Sequence, residues 1–401
     1  MSVARSLAQW AHDLEPDPDD VALAERALTD TVAVALAARS HPLRSLAAPL
    51  PPAARWATMA HVLDFDDLHT DTTTHISVVT VPTVLAAGGD ARAYLAGAGV
   101  MARIGTMLGW DHYAAGWHAT CTAGAPAAAV AAGIALGLDV PQLTTAMALA
   151  IPAAGGVQEA FGTHSKSLQV GFVADAGLRA ARLAAAGATA DPRAVDAWLK
   201  RMGGVPTSDF PQSPAVPGGL AIKLFPCCYA MQRPIAALRE VRTQIESPIA
   251  GVLVTTPAGT VHPLIHDHPS TGLEGKFSLP YAVATALLDD YPGFSSFTDA
   301  AVTRPEASAI VDLVKTDLLG EPTTTLLDGQ VDICLDLSDG TNVHAAMALP
   351  PGAPQRPPSV EELRAKAAAC GADVPDLLDD ITWATAAELM HVAFPSSEQE
   401  G

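Results

Sequence analysis

The sequence predicts a mainly α fold: a large all-helical domain followed by a smaller α/β domain. Three observations predict it. Apolar residues make up 49% of the chain and aromatic residues only 5%. Much of the apolar share is alanine, which favours close-packed helices over sheets built from bulky side chains. The 401 residues exceed what one simple core serves, because single cores stop growing at roughly 250–300 residues. Finally, the texture changes near Pro248, where Ala-rich periodic segments give way to β-branched runs.

Taken in order, Pro18 to Arg39 reads as a helix. Asp17 is its N-cap, Pro18 takes the first helical position, and Asp19 and Asp20 place negative charge where the macrodipole favours it. Val21, Leu23, Leu28, Val32, Val34 and Leu36 form an apolar stripe near period 3.6. Pro42 to Ala54 reads as a proline-rich connection. Helical blocks follow at Val81 to about Met107, Ala125 to Leu136, Leu143 to about Ile151, Gly171 to Ala186 and Pro226 to Ser247. Gly251 to Thr256 and Val331 to Leu337 then read as strands. Asp339-Gly340 marks a turn into a hairpin partner at Asn342 to Leu349. Leu279–Asp290 and Glu306–Leu318 read as helices between the strands. Ser359 with Glu362 forms a capping box that opens a last helical segment. The expected division is therefore 1–248 with 356–401 for the helical domain and 249–355 for the α/β domain.

Charge narrows the function classes. The chain carries 43 Asp+Glu against 23 Lys+Arg, a formal net charge of -20. Nucleic-acid phosphates need a basic face, so a nucleic-acid partner is not expected. No Lys/Arg block suggests a membrane surface. The most apolar stretch, Ala123 to Leu138, is shorter than the roughly 18 residues a membrane span needs and reads as a buried helix. Met1 to Pro16 lacks the apolar region of a signal peptide. The five cysteines are odd in number and show no paired framework, which suits reduced thiols and a cytoplasmic location.

Against this acidic background the six lysines stand out. Lys166, Lys223 and Lys276 lie in Thr163-His164-Ser165-Lys166, Ile222-Lys223-Leu224-Phe225-Pro226 and Lys276-Phe277-Ser278-Leu279-Pro280-Tyr281. Scarce ammonium groups in such strings suggest a local positive pocket for a small anionic polycarboxylate. Lys166 near a helix start opposes the macrodipole, which makes sense if it faces an anion; an ordinary surface lysine is the competing reading. Lys223 and Lys276 are equally compatible with snorkelling. Asp64-Phe65-Asp66-Asp67-Leu68-His69, with His75 beyond it, is a dense carboxylate cluster. Packed acids and a nearby imidazole shift one another's pKa values and can hold a general acid or base. A solvated helix end and a Mg²⁺ site are the alternatives. His118, in Gly116-Trp117-His118-Ala119-Thr120, is a catalyst or a structural residue, and Tyr281 donates a proton or packs. His262, His266 and His268 could hold a metal, but the prolines around them favour a solvated loop. Cys227-Cys228 reads as a buried pair of thiols.

Taken together these strings resemble the MmgE/PrpD family, which includes 2-methylcitrate dehydratase, cis-aconitate decarboxylase and iminodisuccinate epimerase. The resemblance runs from about Val62 to Lys366. It rests on Asp64-Phe65-Asp66-Asp67 with His75, on Gly116-Trp117-His118-Ala119-Thr120, on Ser165-Lys166 to Gly171, on the Lys223 and Lys276 strings, and on Pro358 to Lys366. It implies a helical domain with an α/β lid domain, a homodimer, and neither metal nor cofactor. It also implies active-site roles for Asp64, His75, His118, Lys166, Lys223 and Tyr281, with Lys276 beside them. Leu68 stands where the family has threonine, and Ile76 where it has proline. One extra residue separates Asp67 from His75, and the segment from Arg39 to Ala60 is short.

The activity implied is a lyase, a dehydratase or decarboxylase working through an α-carbanion. Lys166, Lys223 and Lys276 would bind substrate carboxylates, His75 and His118 would exchange protons, Asp64 would tune a histidine, and Tyr281 would hydrogen-bond substrate. An epimerase of an iminodisuccinate-like compound and an inactive anion-binding homologue are the alternatives.

Overall fold

The computed structural model describes residues 2–320 and 326–397. The chain forms two compact units. The first comprises Met1–Glu159, His164–Leu220 and Arg364–Gly401, and the second Ala160–Thr163 and Ala221–Leu363. The chain is mainly helical, with one four-stranded sheet.

Among the described residues the regular elements of the first unit are all helices. Pro18–Ala37 starts as the sequence predicts: the Asp17 carboxylate accepts from the Asp20 amide at 2.9 Å within a capping box. The connection expected over Pro42 to Ala54 is instead helical at Leu43–Ala47 and again from Pro52, which opens Pro52–His61. Proline is compatible with the first turn of a helix, so Pro51-Pro52 marks a start and not a gap. The block expected over Val81 to Met107 is two helices, Ser77–Ala87 and Ala91–Ala114. Gly88, with φ 72°, ends the first in the left-handed conformation, and the Asp90 carboxylate caps the second.

Ala119–Ala135 is the buried centre of this unit. It packs against Ala91–Ala114, Val140–Ala150, His164–Ala185 and Ser77–Ala87. Small residues set these approaches. A Cβ on Gly177 would lie 2.4 Å from the Ala128 methyl, and one on Gly171 would lie 2.5 Å from the Ala54 carbonyl oxygen. The second approach presses His164–Ala185 onto Pro52–His61 and so aligns the two helices that carry Lys166 and His61.

The second unit contains β1 (Ile249–Pro257), β2 (Val314–Leu319), β3 (Val331–Leu337) and β4 (Asn342–Met347), in the order β2-β1-β3-β4. β1 pairs parallel with β2 and antiparallel with β3, and β3 pairs antiparallel with β4. The helix expected over Glu306–Leu318 stops at Val311, and β2 begins at Val314. Pairing of Val314–Leu319 with Val252–Pro257 overrides the local helical pattern. One sheet face, with Val252, Val254, Ile333, Leu335, Val343 and Ala345, is buried with Ile235, Leu238 and Val283. Helix Gln232–Val241 packs on β3 and β4, so the unit reaches back to Ala221 although strand texture begins only at β1. The Ser359–Glu362 capping box is present, with Ser359 donating to the Glu362 carboxylate at 2.7 Å and Glu362 donating to Ser359 Oγ at 3.2 Å. Among the described residues no helix is long and apolar enough to cross a membrane.

Candidate active site

The carboxylate cluster at Asp64 is buried, which overturns the reading of a solvated helix end: Asp64, Asp66 and Asp67 are 3%, 0% and 1% exposed. The loop follows the last turn of Pro52–His61, and Asp64 enters it with φ 53°. That left-handed conformation is one aspartate tolerates better than most residues. It helps send successive carboxylates to different partners. Asp64 Oδ1 meets Lys166 Nζ at 2.8 Å. Asp66 Oδ2 lies 2.9 Å from His61 Nδ1 and 2.7 Å from His75 Nδ1. Asp67 accepts from the Ser77 hydroxyl, which also meets the Tyr94 hydroxyl at 2.8 Å. Behind the loop the Lys366 ammonium donates to the Phe65 carbonyl at 2.7 Å and pairs with Asp30 at 2.6 Å.

Lys166 and His61 join this loop to the helix His164–Ala185. Lys166 occupies that helix's first turn and is 3% exposed; its Nζ also lies 2.9 Å from His61 Nε2. The sequence therefore forms a chain of contacts: Asp64, Lys166, His61, Asp66, His75. His75 is the accessible end, with its side chain 12% exposed. Its amide donates to Thr120 Oγ1 at 3.0 Å, tying it to the first turn of Ala119–Ala135. His118 caps that helix, with its ring stacked on His61 at 6.0 Å between centroids. Four of the expected site residues (Asp64, His75, His118 and Lys166) thus lie in one cluster.

Hydrogen-bond chemistry fixes much of the protonation. His75 Nδ1 lies 2.9 Å from the Asp67 carbonyl oxygen, which only accepts. That nitrogen carries a proton, so in the neutral ring the lone pair is on Nε2. Burial holds His61 below the usual imidazole range, with Asp66 opposing and Lys166 adding to the effect. Burial also pushes His118 well below that range, helped by the positive charge of Lys166. Burial raises the Asp67 carboxyl to about 7.

Among the described residues, His61, Asp66 and His75 are the group that could hold a metal, with ligand atoms within 4.8 Å of one another. Their donor set fits a hydrogen-bonded network better. His75 Nδ1 holds a proton toward a carbonyl, and an ammonium lies beside His61. The carboxylates of Asp64, Asp66 and Asp67, weighed above as a Mg²⁺ site, turn to different partners: Lys166, the two histidines and Ser77. His262, His266 and His268 form no such group, and His268 instead sits at the surface 3.4 Å from Asp312.

Lys223, Lys276 and Tyr281 belong to the second unit. Gln232 Oε1 accepts from the amides of Leu224 and Phe225 at 3.2 and 3.1 Å, and the Ile222 amide donates to the Gly352 carbonyl at 2.8 Å. These bonds clamp the backbone around Lys223, which is fully buried. Lys276 Nζ donates to the Pro226 carbonyl at 2.9 Å, so the two lysine strings meet. The Tyr281 hydroxyl donates to the Ser296 carbonyl, and the ring packs edge-on against Phe297. Burial raises its pKa.

Sequence reasoning missed His61, Asp66 as the bridging carboxylate, and Gln169, which touches His118. The spacing of His61 to Asp66 is a usable signal, hidden because the start of the helix Pro52–His61 falls in the stretch Pro42 to Ala54 that reads as a connection. His69, inside the cluster string, turns away: its ring meets Thr72 Oγ1 at 2.7 Å and the Pro217 carbonyl at 2.6 Å.

Comparison with known proteins places the chain in a family. Residues 44–205 match the MmgE/PrpD N-terminal domain, and residues 225–382 match the MmgE/PrpD C-terminal domain. The chain is similar to cis-aconitate decarboxylase from Aspergillus terreus, at 26% identity over 341 residues covering 74% of this chain and 69% of the relative. It is equally similar to cis-aconitate decarboxylase of A. terreus strain NIH 2624 / FGSC A1156, at 26% identity over 342 residues. With both domain models matched across most of its length, the chain belongs to the MmgE/PrpD family.

Proposed function

We propose that this protein is a lyase whose reaction on a small di- or tricarboxylate passes through a carbanion beside a carboxylate. In a dehydration a base removes the α-proton and the carbanion expels the β-hydroxyl as water. In a decarboxylation CO₂ departs and the carbanion left behind takes up a proton. One observation carries the reading. A charge-paired lysine, a carboxylate-backed histidine and a second, neutral histidine converge in one buried cluster. Carbanion chemistry needs those three parts. Asp66 holds the His75 ring through Nδ1, which leaves Nε2 as the nitrogen that takes a proton, and it stabilises the imidazolium that then forms. Lys166 supplies positive charge toward the developing enolate, and its Asp64 partner fixes the ammonium in place. Preorganised charge of this kind in a dry site lowers a barrier by about 3–4 kcal/mol per well-placed donor. The decarboxylase activity of the two relatives supports this reaction class. Lys223 and Lys276 are assigned to substrate carboxylates and Tyr281 to a substrate hydrogen bond, as the family resemblance implies. The same resemblance makes a homodimer the expected assembly.

The test is incubation of the protein in D₂O with 2-methylcitrate, citrate, cis-aconitate and iminodisuccinate, followed by proton NMR. Deuterium uptake at an α-carbon with release of water or CO₂ is the expected result, and it should persist in a strong chelator. Thermal stabilisation by these compounds with neither exchange nor product would replace the lyase with an anion-binding protein. Exchange with inversion and no bond cleavage would make it an epimerase.

A further inference from the structure

His118 is held differently from His75, and the difference lies in what faces its Nδ1. Gln169 Nε2 approaches His118 Nδ1 at 2.6 Å. An amide can be turned either way, but here the backbone of Val157 fixes it. The Val157 amide faces Gln169 Oε1 at 3.2 Å, and the Val157 carbonyl faces Gln169 Nε2 at 3.3 Å. An N–H only donates and a carbonyl only accepts, so the group presented to His118 is the NH₂ donor. Val157 is itself pinned beside His118 by two neighbouring backbone bonds: His118 donates to Gly156 at 2.9 Å, and Gln158 donates to Gly116 at 2.9 Å. A second group also faces the same nitrogen. Cys121 Sγ lies 3.3 Å from His118 Nδ1, and burial raises that thiol's pKa, so it keeps its proton.

The thiol can donate or accept, but the Gln169 NH₂ only donates, and at 2.6 Å it leaves this ring nitrogen the role of acceptor. We infer that Gln169 is a positioning residue that locks His118 as the neutral Nε2–H tautomer, so that His118 acts as a hydrogen-bond donor to the developing enolate and not as a base. His75, whose Nδ1 faces the Asp66 carboxylate and the Asp67 carbonyl, is the opposite tautomer and the ring that takes the proton. A neutral imidazole donating in this way transfers no proton of its own, so the proton balance runs through His75 alone. The inference rests on the proposed lyase reading for its chemistry. The tautomer assignment stands on geometry by itself.

Nitrogen-15 NMR of histidine-labelled protein at pH 7 tests it, with the His118 signals assigned from a His118→Gln variant. The expected wild-type pattern is one protonated nitrogen, Nε2, and one unprotonated nitrogen, Nδ1. In Gln169→Glu the carboxylate accepts where the amide donated, so the Nδ1 signal should move to the protonated position. Turnover should fall at least about 100-fold, with KM changed little. Gln169→Met removes the amide donor without adding an acceptor, so its His118 should populate both tautomers and show intermediate nitrogen shifts. A wild-type His118 that is Nδ1-protonated or doubly protonated overturns the inference. So does an unchanged spectrum in folded Gln169→Glu. Neither result depends on substrate, so an absence of deuterium exchange in the wild type would count against the lyase reading and leave the tautomer assignment standing.

Discussion

At the scale of single residues, Lys166 is the side chain on which burial and charge press hardest. It is almost fully enclosed and shares its ammonium between Asp64 and His61. Lys166→Met removes the counter-ion of a buried carboxylate, and leaving such a charge unpaired costs about 3–5 kcal/mol. The double variant Asp64→Asn/Lys166→Met removes both charges and should recover most of that stability, while α-deuterium exchange stays absent. Urea unfolding beside the NMR exchange assay separates the two effects. Full exchange in Lys166→Met would remove the lysine from the chemistry. At this scale the sequence showed much of the first unit's cluster, because Asp64, His75, His118 and Lys166 each stand in a distinctive string. Gln169 showed nothing. Its meaning comes from a contact with a residue 51 positions earlier in the chain, which no local pattern encodes.

At the scale of elements, the distance between Lys166 and His61 is set by how closely two helices approach. Gly171 lies five residues after Lys166, against Ala54 and Thr58 of Pro52–His61. Gly171→Val would drive side-chain atoms into the Ala54 carbonyl and push the helices apart. Overpacking of this kind costs about 1–3 kcal/mol. Turnover should fall further than stability, because the Lys166–His61 contact lengthens. An unfolding titration and a turnover assay on the same sample check this, and unchanged turnover would show that the approach does not position the site. Elements with clear caps or alternation were legible: the Asp17 and Ser359 capping boxes, and β3 with its Asp339-Gly340 turn. Two others were not. Pro52–His61 was obscured by the prolines that begin it, and β2 by its dependence on pairing with β1.

At the scale of the whole molecule, buried titrating groups give stability two opposing dependences on pH. Asp67 has its pKa raised from 3.8 to about 7 by burial, so the folded state holds that proton more tightly than the unfolded chain does. Its contribution is full below about pH 3.8 and is lost as pH rises through about 7. His61 and His118 are lowered from 6.5. Their contribution is present above that pH and is lost as pH falls below it. Asp67→Asn removes the first dependence and leaves the second. Between about pH 4 and 7 its stability should therefore rise more steeply with pH than that of the wild type. Urea midpoints measured across that range check this, and parallel curves would mean that Asp67 keeps an ordinary carboxylate pKa.

The ammonium of Lys366 reaches the Phe65 carbonyl across 301 positions of the chain. On the ribosome, then, the loop bearing Asp64 and Asp66 waits for the chain up to Lys366 to emerge before this clamp arrives. Nascent chains arrested short of Lys366 should show the loop still open to protease, and chains arrested well beyond it should show it closed. Setting of this loop is thereby tied to a segment made 301 positions after it.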